Sequence, residues 1–247
     1  MAAFDVRFFI DTFLIALTGI PVTLILSVIP FLIAIPLGIG IAFLRLKKVI
    51  GASQLFAVYS SFALGTPLII QIYLCYYVLP KALAEFVKFL GIGIDIYAID
   101  PIFYALLVFT FNTTASMTET FRSALNAVDQ GQHEAGLAVG LSGFRSFSRI
   151  VMPQVFLIAL PNMATTAVNL MKGTSLAFVM AVHDVMAKAR IEGIYSYKNI
   201  ESYLGAFIIF FILCFVTERL FKLLESRLNA PWRKGNQAKG GEVEVAL

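Results

Sequence analysis

A chain of 247 residues that is 59% hydrophobic and only 14% charged, with a mean hydropathy of +0.85, has too little polar surface to fold as a soluble domain. Its net charge of +4 is too small to mark a nucleic-acid binder and reads instead as membrane topology. Cys75 and Cys214 lie inside apolar segments and His133 and His183 stand far apart, so disulfide, metal-centre and clustered-residue enzyme chemistry lack a constellation. The expected class is an all-α integral membrane protein.

In chain order, residues 4–18 carry Asp5, Arg7 and Asp11 among aromatic and aliphatic side chains, and no further charge appears until Arg45. That uncharged run exceeds the about 20 residues a span needs, so 1–18 is expected to lie along the outer surface while 19–44 cross. The long apolar stretch without a basic start argues against a cleavable signal peptide. Pro21, Pro30 and Pro36 bend this first span. A basic turn (Arg45, Lys47, Lys48) leads to a second span over 54–79. In 80–100, Lys81, Glu85 and Lys88 share one helical face and Leu83, Phe86, Val87 and Leu90 the other, the pattern of a helix lying in the interface. A third span covers 102–122 and a fourth 152–171. Residues 173–182 are apolar but too few to cross, which predicts a re-entrant segment. The last span covers 204–224, closing a transmembrane domain over 19–228, and a polar, disordered tail is expected over 229–247. With five spans the ends lie on opposite sides. Arg45, Lys47, Lys48, Arg122, Arg145, Arg149, Arg219, Lys222 and Arg227 all fall on the side that holds 129–153, which predicts that side to be cytoplasmic, with the amino terminus outside.

Counting about 1.5 Å per residue along each span places polar groups of three spans at similar depth. The Gly65-Thr66-Pro67 break and Gln71 fall near the middle of span two, and Asn112, with Ser116 and Glu119 four and seven residues on, near the middle of span three. Asn162, with Thr165, Thr166 and Asn169 on the turns above, does the same in span four. Such groups must face protein or water. They either hold helices together by hydrogen bonds or line a substrate path, and Glu119 has a third option, pairing with Arg122.

Between spans three and four lies a polar, glycine-containing stretch, DQGQHEAGLAVGLSGFRSFSRIVMP, from Asp129 to Pro153. Asp129 followed by Gln132 predicts a helix start near Gln130, Gly140 can end it in a left-handed conformation, and Ser142 can cap a second helix from Phe144. Glu134, Ala135, Gly136, Gly140, Ile150, Met152 and Pro153 resemble the E-A-A-x3-G-x9-I-x-L-P signature of ABC importer permease subunits, with Gly136 standing for a second alanine and Met152 for leucine. Residues 62–77, 112–138 and 171–176 are similar to the polar amino-acid branch of that family. There an arginine is common where Leu64 stands, and an aspartate or asparagine where Gly173 stands. The run from Ser175 to Met186 is similar to L-cystine permeases.

What the resemblance implies is a type I importer permease fold of about five spans with a cytoplasmic coupling-helix loop. Glu134, Ala135, Gly136, Gly140, Arg149 and Pro153 would couple to the ATPase. Thr66, Gln71, Asn112, Ser116, Glu119, Asn162, Thr165, Thr174 and Ser175 would serve the substrate path. The implied partners are two ABC ATPase subunits, a second permease subunit (identical or paralogous), an extracytoplasmic amino-acid-binding protein and the lipid of a bacterial cytoplasmic membrane, with no nucleic acid. No G-x-x-x-x-G-K-[ST] loop occurs in the chain, so ATP and Mg would sit on the partner ATPase, with no cofactor on this chain. The alternative is an ion-coupled secondary transporter, which needs intramembrane acids and often an inverted repeat. Glu119 is the acid placed well within a span, and five spans do not divide into two halves.

Overall fold

The computed structural model describes the backbone of residues 4–243 and the side chains of 4–228. Among the described residues the chain is helical with no strand. Its helices are α1 (Val6–Leu17), α2 (Ile20–Leu46), α3 (Ala52–Gly65), α4 (Leu68–Tyr73), α5 (Leu79–Phe89), α6 (Pro101–Ala127), α7 (Gln130–Ala138), α8 (Gly143–Ser146), α9 (Met152–Gly173), α10 (Val185–Ser196) and α11 (Asn199–Val243). Four stretches are long and apolar enough to cross a membrane: Ile20–Leu46, Leu68–Phe89, Gly143–Met180 and Asn199–Leu228. The 27-residue α6 has the length but is too polar to qualify. It completes the expected bundle of about five spans from its centre, where other helices shield its polar groups.

Asp100 starts α6 by accepting the Ile102 N–H at 2.9 Å, and Pro101 occupies the first turn, where its missing N–H costs nothing. α2, α3 and α9 pack around α6. One core joins Phe109, Tyr104 and Val108 of α6 to Leu26, Ile72 and Met180, and a second joins Met117 and Phe121 to Ala34, Val155, Ala159 and Met163. The α2–α6 approach depends on Gly38, where an added Cβ would lie 2.6 Å from Met117 Cβ and 2.9 Å from the Met117 carbonyl carbon.

Two prolines are accommodated by one device. A proline ring inside a helix collides with the carbonyl four residues back. Before Pro80 the turn Leu74–Val78, and before Pro153 the turn Phe147–Val151, are wound as wider π turns, which hold Tyr76 and Arg149, the residues four back. The helix therefore continues through both prolines. This corrects one expectation: the segment from residue 80 extends the helix begun at Leu68 as α5, so it is not a separate surface helix. α9 starts at Met152, as expected for the fourth span, and the π turn joins it to α8. After α9 the chain tightens into a 3-10 turn over Thr174–Met180 and ends at Ala181 in a left-handed conformation, φ 56°, which fits a segment too short to cross. The backbone of α11 runs on to Val243, past Asn229, and the remainder of the expected tail lies outside the described residues.

α1 is a separate helix, angled from α2 at Thr18-Gly19 and packed on α10 and α11 through Ala16, Val185, Ala189, Ala206 and Ile209. Lys198 Nζ meets Asp5 Oδ2 at 2.6 Å, and the Asp5 N–H donates to Glu201. At the bend, a Cβ on Gly19 would lie 2.6 Å from the Asp184 carbonyl carbon. Asp184 is fully buried. Its Oδ1 accepts the Ala187 N–H at 2.8 Å, and its Oδ2 has no hydrogen-bond partner among the described residues. Burial raises this carboxyl from its ordinary 3.8 to about 6.

Gly38→Leu should lower the thermal unfolding midpoint in detergent, costing about 1–3 kcal/mol by overpacking. Gly40→Ala, where nothing lies within 4 Å of the new Cβ, should leave the midpoint unchanged or raise it slightly. Because the folded pKa of Asp184 lies above the unfolded one, the native state holds this proton more tightly. That contribution is complete below the unfolded pKa and is lost as pH rises through about 6. Asp184→Asn keeps the helix cap and should stabilise the fold at pH 7.5 by on the order of 2–3 kcal/mol, read as a higher midpoint, and change little near pH 4.

Candidate functional site

The residue before a proline is disfavoured in the α region, and Thr66 is extended at φ −110°, ψ 144°, which ends α3 at Gly65. In a continuous helix the Ala63 carbonyl would accept the N–H of residue 67, but Pro67 has none. Gln71 Nε2 donates to Ala63 O at 2.8 Å and Asn112 Nδ2 donates to the same oxygen at 2.9 Å. Gln71 Nε2 also reaches Thr66 O at 3.1 Å and Thr66 Oγ1 at 2.9 Å, and Asn112 Nδ2 reaches Gln71 Oε1 at 3.2 Å. The Thr66 hydroxyl donates to Phe62 O at 2.8 Å. These three residues thus form one network that closes the helix break.

Asn112 also forms part of the wall of a cavity of about 210 Å³, with Leu68, Phe109, Thr113, Ser116, Thr166, Asn169 and Leu170. Of the residues expected along the path, Asn112 and Ser116 line this cavity, while Gln71 and Thr66 stand behind Asn112. Thr165 lies on a second cleft of about 360 Å³ between α9 and α11, together with Asn169, Lys172, Glu218, Lys222 and Glu225. Asn162 is exposed and borders neither. Thr174 and Ser175 bond back to their own helix, to Met171 O at 2.8 Å and Lys172 O at 2.7 Å, and line neither space. Glu119 is also elsewhere. It pairs with Arg45 of α2 and, at 2.8 Å, with Arg122, and Arg45 in turn donates to Ser60 Oγ at 3.2 Å. The Arg45 contact, across 74 residues, is not readable from spacing. Thr113 also escapes a reading of the sequence, for want of the rotation of α6 about its axis.

The loop between α6 and α9 is a helix, a tight turn and a second helix. Asp129 Oδ1 accepts the Gly131 N–H at 2.7 Å. Gly140, at φ +82°, ends α7, and the Leu141 N–H returns to Gly136 O at 3.1 Å. Ser142 caps α8 through the Arg145 N–H. Ser146 is fully buried, its Oγ 2.9 Å from His133 O and 3.0 Å from His133 Nδ1. A Cβ on Gly136 would collide with Ser146 Oγ, so glycine in place of the usual alanine is matched to Ser146. Glu134, Ala135, Gly140, Arg149 and Pro153 are exposed. Beside them stand three apolar side chains that motif spacing does not single out: Val139 is 77% exposed, Phe144 80% and Leu137 44%.

Comparison with known proteins places these features in context. The family described as binding-protein-dependent transport system inner membrane component matches residues 4–230. The probable amino-acid permease protein YxeN of Bacillus subtilis (strain 168) is 31% identical, over 94% of this chain and 100% of its own. The L-cystine transport system permease protein TcyL of the same organism is 34% identical, over 92% of each chain. Among solved structures, an amino acid ABC transporter determined with histidines superposes with a TM-score of 0.76 at 23% identity, over 92% of this chain and 100% of the other.

The network at the helix break predicts a stability effect for each amide. Gln71→Leu and Asn112→Leu should each cost about 1–3 kcal/mol. Because both serve the Ala63 carbonyl, the double variant should cost less or more than the sum, a coupling that a thermal-unfolding double-mutant cycle would read.

Proposed function

We propose, because this chain belongs to the family of binding-protein-dependent transport system inner membrane components, that it is the membrane-spanning subunit of an ATP-driven importer whose cargo is a polar amino acid. The observation that carries this reading is the pairing of an exposed helix–turn–helix loop at one end of α6 and α9 with a polar cavity between the same two helices. The loop would receive the ATPase, which supplies the energy that a chain without a phosphate-binding loop does not, and Glu134, Gly140 and Arg149, with Leu137, Val139 and Phe144, would form the contact. The cavity, at about 210 Å³, falls below the roughly 300–1,000 Å³ of drug-sized pockets and suits one small solute. Asn169 offers it an amide uncommitted among the described residues, and Asn112, Ser116 and Thr166, whose donors are used within the chain, offer it acceptor oxygens.

The complete transporter would hold two permease subunits, two ATPase subunits and an extracytoplasmic binding protein, with the amino terminus of this chain outside and its carboxyl terminus in the cytoplasm. L-cystine is the first cargo to test, on the similarity of residues 175–186 to L-cystine permeases and the match to TcyL.

The test is co-expression with the neighbouring subunits, reconstitution in nanodiscs, and ATPase assay against a panel of amino acids, each with a binding protein. Stimulation by one amino acid supports the importer and names the cargo. Uptake that follows an ion gradient with no ATPase co-purifying would favour the secondary transporter instead. Gly140→Asp places a charge and a strained Cβ at the loop turn, and should reduce stimulated ATPase by about tenfold or more while leaving membrane insertion intact.

A further inference from the structure

The cleft between α9 and α11 is lined by charged and amide side chains of two helices read as membrane spans. Thr165, Asn169 and Lys172 of α9, and Glu218, Lys222 and Glu225 of α11, recur at four and three residues, so each set forms one helical stripe. The two stripes line the same space of about 360 Å³. Ions on spanning helices face protein or water instead of lipid, so this cleft is a hydrated or covered face. Asn169 borders this cleft and the polar cavity alike.

The groups in the cleft differ in how far they are satisfied. Lys222 Nζ binds Glu218 Oε1 at 2.6 Å. Lys172 is exposed and has no carboxylate within salt-bridge distance among the described residues. The Asn169 side chain is exposed and makes no hydrogen bond among the described residues, whereas Asn112 Nδ2 is committed to Ala63 and Gln71. An ammonium and an amide one turn apart on one face, both with unused donors, are matched to a carboxylate. The opposite wall supplies Glu218 and Glu225, suited to an ammonium.

Resting on the importer reading above, we infer that Lys172, assisted by Asn169, binds the α-carboxylate of the amino acid on the face of α9 where Asn169 borders both the polar cavity and the α9–α11 cleft, and so selects zwitterions over amines and amides. Lys172 is then a specificity-determining residue of the path.

The experiment uses the assembled transporter in proteoliposomes and measures ATP-dependent uptake of the amino acid that the wild type carries, with its carboxamide as competitor. Lys172→Gln should raise KM about tenfold or more, a difference of ~1.4 kcal/mol, and remove the preference for the free acid over the carboxamide. Lys172→Arg should retain both, and Asn169→Ala should move both in the same direction by less. Unchanged KM and preference in Lys172→Gln overturn the inference while the importer reading stands. So does loss of the second permease subunit from purified Lys172→Gln complexes, which would assign Lys172 to subunit packing. Absence of amino-acid uptake by the wild type overturns the importer reading and this inference with it.

Discussion

Inside a bilayer, a backbone carbonyl that loses its helical N–H has no water to turn to, and Pro67 puts the Ala63 carbonyl in that position. Much of the molecule's centre follows from this one deficit. α3 must stop at Gly65, α4 must restart at Leu68, and a donor must be brought in from outside the broken helix. Gln71 supplies one from α4 and Asn112 a second from α6, so α3, α4 and α6 are pinned to a common point. The side chain that pins them also lines the polar cavity. One wall of that cavity is therefore fixed by the need to satisfy the backbone, independently of anything that binds there.

The opposite wall is built differently. Thr166 and Asn169 sit on α9, which the π turn before Pro153 joins to α8 without a break and which carries a further proline, Pro161, inside it. The exposed loop is tied to this helix at its amino-terminal end. Gly136 packs against Ser146, and Ser146 Oγ reaches His133 O, so α7 and α8 are held together. α6 enters the same loop through Val128 and Asp129. In the importer proposed above, a push on α7 and α8 would be passed to α9, which bears Thr166 and Asn169, while Asn112 on α6 is anchored to Ala63.

The parts of this arrangement that are legible in the sequence are those with local causes. Asp129, Gly140 and Ser142 act on neighbours within a few residues, so their turn chemistry is enough to place α7 and α8. The Thr66–Pro67 break is legible for the same reason. Depth counting selects polar residues on α6 and α9, the helices that line most of the cavity, but depth does not give rotation. Thr165 and Thr166 differ by about 100° around α9, and only Thr166 faces the cavity. Glu119 falls among the path residues by depth because its partner Arg45 is distant in the chain. The segment after Pro80 reads as a separate interfacial helix because its charged and apolar residues fall on opposite faces, and no residue pattern announces the π turn that carries the helix through Pro80.

A common test separates polar residues that hold the membrane fold from those available to a solute: whether their hydrogen-bonding and charge capacity is already used. Gln71 and the Asn112 amide nitrogen are committed to the helix break, Glu119 to two arginines, and the Thr174 and Ser175 hydroxyls to their own backbone. Each of these is a reasonable site residue by sequence, and each is answered within the chain. Asn169 and Lys172 are not answered among the described residues, and they stand together on one face of α9 where the cavity and the cleft meet. Polar side chains on a membrane helix that the chain leaves unanswered face water or a partner. The proposed carboxylate contact would use both, and would put selectivity on α9 beside the cavity, away from the amides that close the helix break.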